Sequence, residues 1–335
     1  MIYELEFAAG LSEIVRSEVQ QKLGLSIQPK SKDDGYLRLN IDHPAKLHQL
    51  KTINSVYLCL YFDIPRPRAL LGHKHFTHLI NHITHILDQD FNNFHTLYIS
   101  AAGSNSSTMQ RLKHELALRL NLQAHTKSGD LWLRIKRQGN GWEVLIRTTP
   151  RPLATRSWRV CNYEGALNAP VAHAIGLLTS PGETVVNLMC GSGTLMIEYP
   201  HPYNMMVGLD NYANALTCAE QNIQAAPLLK ENRIRLINAS VTDTPFPSAS
   251  VDVLLADLPF GQLIGSHRYN QKLYPEIIKE AARIAKPNAQ FAVITHEIKL
   301  FERLLTQSLQ WRVESVHRVS LRGYHPRVFL LRKVS

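Results

Sequence analysis

The amino-acid sequence predicts an α/β protein whose C-terminal half is a doubly wound, mostly parallel sheet, preceded by an α+β region. From residue 165 onward, short apolar segments alternate with helical segments, which is typical of parallel strands joined by helices. Five of the six residues in Val251–Ala256 are apolar, as expected for a buried central strand. Near the C terminus, Trp311–Ser320 and Arg327–Lys333 flank a turn that contains Gly323 and Pro326, which predicts a closing antiparallel hairpin.

The length and composition fit a protein with more than one core. At 335 residues the chain can form two or three units, and its hydrophobic fraction is 44%. No window approaches the roughly 18 uncharged apolar residues of a membrane span, and the N terminus lacks the order of a signal peptide. We therefore expect a cytoplasmic protein without a membrane segment. The four cysteines show no paired spacing, which predicts reduced thiols rather than disulfides or a zinc site.

The net charge of +10, with 16 histidines besides, indicates a polyanionic partner. Basic residues outnumber acidic ones on both sides of residue 155, so the charge belongs to the body of the protein and not to a tail. This distribution favours a nucleic acid that spans both halves, whereas a need for solubility is the simpler alternative.

The N-terminal half is predicted to be a β-α-β-α unit over residues 1–50, followed by a larger α+β region over residues 51–150. Apolar residues recur at helical spacing in the first helix, and Gln138-Gly-Asn-Gly141 is a strong hairpin signal between the last two strands. The predicted strands are Ile2–Phe7, Gly35–Ile41, Val56–Ile64, Thr96–Ala101, Leu131–Lys136 and Trp142–Arg147. The predicted helices are Leu11–Leu23, a short one from Pro44, His73–Asp90, and one from Ser106 or Ser107 to Leu120.

Five histidines lie on the predicted helix His73–Asp90, and His78, His82 and His85 share one face. A metal site is one interpretation of this cluster. However, only Asp88 adds a ligand of another kind, and the opposite face is an ordinary apolar stripe. We expect a polar, partly protonatable face toward solvent or RNA and no metal.

Residues 151–164 are predicted to link the two halves. The segment is broken by proline and contains Arg151, Arg156 and Arg159, with Trp158 among them. Arginines beside an aromatic ring suit phosphate contacts and base stacking in RNA. A solvated connector without a binding role explains the same pattern equally well.

The C-terminal half, residues 165–335, contains the alternating elements of the doubly wound sheet. Besides the closing hairpin, the predicted strands are Thr184–Met189, Met205–Leu209, Arg233–Asn238, Val251–Ala256 and Gln290–Thr295. The predicted helices are Leu167–Leu178, Tyr212–Gln224, Tyr274–Ile284 and Ile298–Ser308. Open α/β sheets bind ligands at the carboxyl ends of their strands, so we examine the residues found there.

The ends of the first three of these strands suit a nucleoside cofactor. Gly191 and Gly193 allow the backbone to approach a ligand, although Met196 replaces the third glycine of a dinucleotide fingerprint. Asp210 ends the second strand, where a carboxylate can bind both hydroxyls of a ribose. The segment 238–243, after the third strand, offers small polar groups for an adenine edge.

The fourth strand ends at Asp257-Leu-Pro-Phe-Gly261. A carboxylate at the end of a buried strand is costly unless it is paired or lies in a cleft. Pro259 stiffens the turn, so that Asp257 and Phe260 face one pocket as a hydrogen-bond acceptor beside an aromatic ring. Such a pair suits a flat base that carries an amino group, whereas an ordinary Pro-Gly turn is the plain alternative.

Asn187-Leu-Met-Cys-Gly-Ser-Gly-Thr194 and Asp257-Leu-Pro-Phe-Gly261 together resemble the class I S-adenosylmethionine-dependent methyltransferases that modify exocyclic amino groups. The whole chain is similar to those that join a THUMP domain to such a catalytic domain, the tRNA guanine-N2 methyltransferases acting on position six of the acceptor stem. Gly165–Pro170 and Gly323–Phe329 share in the resemblance. It implies a Rossmann-like methyltransferase domain over residues 165–335, a ferredoxin-like unit over 1–50 and a THUMP RNA-binding domain over 51–150.

The resemblance also implies a reaction and its site. A monomer would hold the acceptor stem and 3′ end of tRNA and methylate guanosine N2, converting S-adenosylmethionine to S-adenosylhomocysteine. The methyl acceptor would meet Asp257, Leu258, Pro259 and Phe260. The cofactor would be bound by Ala166, Leu167, Asn168, Asn187, Met189, Gly191, Gly193, Thr194, Asp210, Asn211, Ser240, Val241, Asp243 and Asp257. RNA would be bound by Arg151, Arg156, Arg159, Arg322, Tyr324 and Arg327.

The sequence departs from the family pattern at two cofactor positions. Asn187 and Leu188 stand where the family usually has Asp-Pro, and Ser240 replaces the usual adenine-binding acid. Both changes remove a carboxylate from the cofactor site. Asn187 can still hydrogen-bond the ammonium group, and adenine would be held by Asp243 or by backbone groups. Two other functions stay open. One is an adenine-N6 methyltransferase acting on DNA or another RNA, and the other is a catalytically silent RNA-binding protein that kept the fold.

Overall fold

A computed structural model describes residues 1–28, 35–42, 44–89, 93–226, 233–260, 266–321 and 323–334. The chain divides into two compact units. One consists of Met1–Phe7 and Tyr36–Leu153, and the other of Ala8–Gly35 and Ala154–Ser335. The first helix therefore belongs to the same unit as the C-terminal half, which its position in the sequence does not indicate.

The first unit contains a seven-stranded sheet with the strand order β2-β1-β3-β7-β6-β4-β5. Because β1 pairs with both β2 and β3, the strands predicted for residues 1–50 share one sheet with those of residues 51–150. The strands are β1 (Ile2–Glu6), β2 (Tyr36–Asn40), β3 (Ser55–Phe62), β4 (Thr96–Ala101), β5 (Gln123–Ala124), β6 (Leu131–Gln138) and β7 (Gly141–Arg147). The unit also contains the helices α2 (His73–Leu87) and α3 (Ser107–Leu120) and two short 3-10 helices, Pro44–Gln49 and Pro67–Leu71.

The second unit contains the predicted doubly wound sheet, in the order β10-β9-β8-β11-β12-β14-β13. The first five strands in this order are parallel, and β14 and β13 add the antiparallel hairpin at the edge. The strands are β8 (Thr184–Leu188), β9 (Met205–Asp210), β10 (Ile234–Asn238), β11 (Val251–Asp257), β12 (Ala285–Thr295), β13 (Trp311–Arg318) and β14 (Arg327–Lys333). The helices are α1 (Ser12–Leu23), α4 (Ala169–Leu177), α5 (Thr194–Ile197), α6 (Ala213–Gln224), α7 (His267–Ile284) and α8 (Ile298–Gln307).

The strand order places the ligand crevice between β8 and β11. The chain runs outward from β8 through β9 to β10, and then returns to add β11 and β12 on the other side of β8. At such a switch point, the loops after the two central strands separate and leave an opening. The neighbouring core is rich in aromatic residues, with Tyr274, Phe291, Phe301 and Phe329 at most 1% exposed.

The start of helix α7 differs from the sequence prediction. Helix α7 begins at His267 and not at Tyr274, because Ser266 caps its N terminus by accepting a hydrogen bond from the Tyr269 N–H at 3.2 Å. The helix continues through Pro275, which the predicted start at Tyr274 would place in the first turn.

The prediction of four reduced thiols is wrong for one pair. Cys161 and Cys218 form a disulfide, with their Cα atoms 5.4 Å apart, whereas Cys59 and Cys190 are free. The two bonded cysteines are 57 residues apart in sequence, so their spacing gave no sign of the pairing.

Within the described ranges, no helix has the length and apolarity needed to cross a bilayer. On α2, the rings of His78 and His82 are in contact, with centres 4.4 Å apart. The described residues contain no group of three or more side chains arranged to hold a metal ion.

Candidate active site

The loop after β8 is shaped by residues in the left-handed backbone region. Met189, Gly191 and Gly193 have φ angles of 56°, 53° and 81°. A Cβ atom added to Gly191 would meet no atom within 4 Å, so the loop borders open space there. The Cys190 N–H donates to the carbonyl of Leu209 at 2.8 Å and holds the loop against the end of β9. The backbone is thus presented to a cavity, as the glycine spacing predicts.

Asp210, the last residue of β9, organises the two loops beside it. Its Oδ2 accepts a hydrogen bond from the Gly191 N–H at 2.8 Å, and its Oδ1 accepts one from the Tyr212 N–H at 3.0 Å. A carboxylate has about four lone-pair positions. Asp210 therefore retains acceptor capacity for a pair of hydroxyl groups while it is held in place.

Asn187 is buried in β8 with its amide group oriented by the sheet. Its Nδ2 donates to the carbonyls of Leu255 at 3.1 Å and Leu188 at 3.3 Å. Its Oδ1 is buried and has no partner among the described residues, and the same holds for Oγ of Ser192; both residues line the cavity. Buried polar atoms without partners are rare, so these two atoms point to a missing polar ligand.

Asp257 ends the central strand β11, between β8 and β12. Its Oδ1 is buried and receives no hydrogen bond from any residue that the structure describes. Burial raises the pKa of Asp257 to about 7. The carboxyl group is therefore poised between its neutral and ionised forms, which is a common feature of functional sites.

The corner after Asp257 is held rigidly. The Leu258 N–H donates to the carbonyl of Ile294 at 3.0 Å. On the other side, the carbonyl of Pro259 accepts hydrogen bonds from Asn270 Nδ2 and from the Tyr274 hydroxyl, each at 2.9 Å. Strand β12 and helix α7 together fix the backbone that carries Phe260.

Two adjoining cavities bring most of the predicted cofactor residues together. The first is lined by predicted residues Ala166, Leu167, Asn187, Met189, Gly191, Thr194, Asp210, Asp257 and Pro259. The second is lined by predicted residues Met189, Asp210, Asn211, Ser240, Val241 and Pro259. Because they share Met189, Asp210 and Pro259, the two cavities form one groove along the carboxyl ends of the strands.

Some predicted cofactor residues do not line the groove. Asn168 caps α4, accepting a hydrogen bond from the Val171 N–H at 3.4 Å. Asp243 is exposed and lines neither cavity, and its place beside adenine stays a prediction. Gly193 lies beside Ala219 of α6, where its positive φ forms the turn into α5.

The groove also contains residues that sequence reasoning missed. Tyr163 and Glu164 come from the predicted linker, and Tyr212 lies two residues after Asp210. Tyr269 and Leu273 lie on the first two turns of α7, a part of the helix that was not predicted. The signal available for Tyr212 was its position two residues after Asp210, the predicted ribose-binding acid. No signal in the sequence indicated the two α7 residues.

The linker arginines bind protein groups. Arg156 is buried, and its Nε and Nη2 donate to the two carboxylate oxygens of Glu198 at 2.8 and 3.0 Å. This pair does not fit the predicted RNA contact and instead ties the linker to the end of α5. Arg159 donates to the carbonyl of Leu167 at 2.9 Å and to Oγ1 of Thr194 at 3.1 Å, which connects two walls of the cofactor cavity.

The other predicted RNA contacts differ in their surroundings. Arg151 is exposed, and Arg327 forms an ion pair with Glu302 of α8. Tyr324 is 53% exposed, and Arg322 lies outside the described residues. Of the predicted set that the structure describes, Arg151 and Tyr324 are therefore the most available to a large ligand.

The C-terminal unit matches a known protein family. The family model described as the RMKL-like methyltransferase domain matches residues 156–200 and 200–327, about half of the chain. The chain also resembles the structure of TrmN from Thermus thermophilus, with a TM-score of 0.76 and coverage of 99% of both chains. Since the sequence identity is 19%, this likeness shows the fold alone.

Two curated proteins show the sequence similarity. The chain is 30% identical over 172 residues to tRNA (guanine(6)-N(2))-methyltransferase THUMP3 of Mus musculus, covering 46% of this chain and 33% of the relative. It is 27% identical over 220 residues to tRNA (guanine(6)-N2)-methyltransferase of Methanocaldococcus jannaschii, covering 53% and 57%. The chain thus spans between a third and somewhat over half of the length of these relatives.

Proposed function

Because this chain belongs to the RMKL-like methyltransferase domain family, we propose that it transfers a methyl group from S-adenosylmethionine to N2 of a guanosine in tRNA. The proposed target is guanosine 6, in the acceptor stem; both relatives described above are named for guanine 6 of tRNA. One observation carries the proposal: Asp257, whose buried Oδ1 has no partner among the described residues, lines the same cavity as Asn187 and Asp210. An acceptor for an amino group and acceptors for a nucleoside cofactor therefore share one opening.

The groove fits S-adenosylmethionine, which when bound supplies an electrophilic methyl group on a sulfonium. Oδ1 of Asn187 can accept a hydrogen bond from the ammonium group, and Asp210 can accept hydrogen bonds from the ribose hydroxyls. Val241 and Leu273 provide apolar contact for the adenine in the second cavity. The Ser240 hydroxyl already pairs with Oγ1 of Thr242 at 2.8 Å, so the adenine edge is bound by backbone groups.

Asp257 and the carbonyl of Leu258 accept the two hydrogens of the guanine amino group. The N2 lone pair is delocalised into the ring and is a weak nucleophile. Two acceptors favour a pyramidal nitrogen and stabilise the positive charge that develops on it in the transition state. Asp257 must be ionised to do so. As the methyl carbon bonds to N2 its bond to sulfur breaks, and the Asp257 carboxylate then takes the proton that N2 loses. Because the hydrogen bonds to the Pro259 carbonyl fix the corner, these acceptors can hold N2 in line with the methyl–sulfur bond, which lowers the entropic part of the barrier.

A guanosine in a stem must leave the helix before it can reach Asp257. Extruding a paired base costs a few kcal/mol, and stacking on the Phe260 ring offsets part of this cost. We assign the THUMP function to the region of residues 51–150, which would hold the tRNA 3′ end, and propose that the protein acts as a monomer. The net charge of +10 favours such a polyanionic partner.

Methyl transfer to defined substrates tests the proposal. The protein is incubated with radioactive S-adenosylmethionine and a transcribed tRNA with guanosine at position 6, the same tRNA with adenosine there, or duplex DNA. Nucleosides are then identified by mass spectrometry. We expect N2-methylguanosine from the first substrate alone. Methylated adenine would favour the adenine-N6 alternative, whereas tRNA binding without any calorimetric binding of S-adenosylmethionine would favour a silent RNA-binding protein.

A further inference from the structure

Three aromatic rings lie together at the carboxyl ends of β11 and β12. His296 directly follows β12, and its ring centre is 3.9 Å from that of Phe260, with an angle of 56° between the planes. The ring of Tyr324, from the turn before β14, meets His296 edge-on at 5.5 Å. His296 therefore connects the methyl-acceptor corner to a largely exposed tyrosine.

Backbone pairing holds both neighbours of His296 in place. The Leu258 N–H donates to the carbonyl of Ile294, two residues before His296, at 3.0 Å. Leu321 and Tyr324 exchange two backbone hydrogen bonds of 2.8 Å, which closes the turn that carries the tyrosine. The ring contacts of His296 thus follow from strand geometry and do not depend on long side chains.

His296 acts here as a neutral aromatic ring. Burial lowers its pKa, and the charge of nearby His325 lowers it further. The carboxylate of Glu297, the next residue, is bound by His267 at 2.8 Å and by Asn270 at 3.4 Å, both on α7. In the described structure, the contacts of the His296 ring are aromatic ones, and these are favourable for offset or tilted pairs.

We propose that His296 is a positioning residue for the methyl acceptor, acting through Phe260. Its ring lies against the Phe260 ring, and the proposal places the incoming base on the face of Phe260 that is turned away from His296. A ring that is already fixed loses less conformational freedom when the base stacks on it. The inference rests on the proposed function, because it requires an aromatic base bound beside Asp257.

The proposal makes the aromatic surface of residue 296 important and its nitrogen atoms dispensable. His296→Ala removes the surface, whereas His296→Phe keeps it. His325→Ala is the matched control, since it removes an exposed histidine from the neighbouring turn without touching Phe260. For each protein, kcat and KM for the acceptor RNA and the calorimetric Kd for S-adenosylmethionine are measured.

We expect His296→Ala to lower kcat/KM for the RNA about fivefold to tenfold, from the energy of one aromatic contact. The Kd for S-adenosylmethionine should stay unchanged, and His296→Phe should restore kcat/KM to within about twofold of the parent. Unchanged kcat/KM in His296→Ala, or an equal defect in His296→Phe, would overturn the proposal. A higher Kd for the cofactor in His296→Ala would also overturn the proposal, because the substitution would then have disturbed the structure of the cofactor site.

The contact can be measured without turnover. A tryptophan in the variant Phe260→Trp would lie against His296, and protonated histidine quenches tryptophan emission. Emission should fall as the pH is lowered, and this fall should disappear in Phe260→Trp/His296→Phe. If no substrate accepts a methyl group, the proposed function fails, and an identical pH response in the two variants would reject the His296 contact independently.

Discussion

The backbone N–H of Gly191 donates to Oδ2 of Asp210 at 2.8 Å, so the glycine loop after β8 is bound to the last residue of β9. The second carboxylate oxygen accepts the Tyr212 N–H. One side chain therefore shapes both loops that line the cofactor groove. Asp210 has a structural function as well as the proposed binding function, and substitutions can separate the two.

Replacing Asp210 should weaken cofactor binding to a degree that depends on what remains. Asp210→Ala removes the acceptors for the two backbone N–H groups and for the ribose, and we expect the affinity for S-adenosylmethionine to fall about 10- to 100-fold. Asp210→Asn keeps one acceptor oxygen and should lose less. Isothermal titration calorimetry measures both, and equal affinity of Asp210→Ala and the parent would contradict the assignment.

Asp257 should affect transfer far more than cofactor binding. Losing one preorganised group that stabilises developing charge typically costs about 100- to 1,000-fold in kcat. We expect Asp257→Ala and Asp257→Asn to show a loss of that size in single-turnover methylation, with a Kd for S-adenosylmethionine close to that of the parent. Near-normal turnover in either variant would show that Asp257 is not the acceptor.

The raised pKa of Asp257 predicts a pH dependence of activity. A carboxyl group with a pKa of about 7 is mostly protonated below that pH. The neutral group accepts hydrogen bonds more weakly than the carboxylate and carries no charge to stabilise the positive nitrogen. The rate of methyl transfer should therefore rise with pH through about 7 and then level off. The residual activity of Asp257→Asn, measured by the same assay, should lack this rise.

The same shift predicts a change in stability. Between the ordinary carboxyl pKa of about 4 and about 7, the folded state holds a proton that the unfolded chain has released. The free energy of unfolding should therefore fall as the pH rises through this range. Asp257→Asn should unfold at a higher temperature than the parent at pH 8, whereas a lower temperature would mean that the ionised carboxylate is stabilised by the fold.

Restoring the usual family acid at position 187 should not improve the protein. The Asn187 amide donates to two carbonyls, those of Leu188 and Leu255. In Asn187→Asp, a carboxylate would face these oxygens instead, which raises its pKa and destabilises the ionised form. We expect a lower unfolding temperature above neutral pH and no gain in affinity for S-adenosylmethionine. Tighter binding at unchanged stability would refute this reasoning.

Two arginines of the predicted RNA-binding set should behave oppositely. Arg156→Ala removes the cationic partner of the buried Glu198 carboxylate, which keeps the hydrogen bond from Trp158 Nε1 at 3.0 Å, and should cost about 3–5 kcal/mol of unfolding free energy in urea titrations. Arg151→Ala removes an exposed side chain and should change stability by less than about 0.5 kcal/mol. In salt-dependent tRNA binding, Arg151→Ala should reduce the slope. A stable Arg156→Ala protein with weakened tRNA binding would restore the original prediction.

The sequence was informative where a residue's function depends on its own strand. The apolar run before Asp257 and the glycine spacing after β8 predict a buried strand and a close-approach loop, and the structure confirms both. Local patterns were insufficient where a partner comes from a distant part of the chain. Nothing near Cys161 in sequence indicates Cys218, and nothing near Arg156 indicates Glu198. The linker approaches α6 and the end of α5 only when the sheet has formed.

The sequence by itself therefore determined the order along the chain of the strands in the second unit, the glycine loop and the acidic corner at Asp257. These depend on hydrophobic periodicity and on backbone conformations, which a few adjacent residues specify. Tertiary structure alone decided that β1 and β2 join the sheet of the first unit, that Arg156 is buried, and that His296 supports Phe260. Each of these is a contact between elements far apart in the chain, and its energy depends on burial and geometry that no local pattern records.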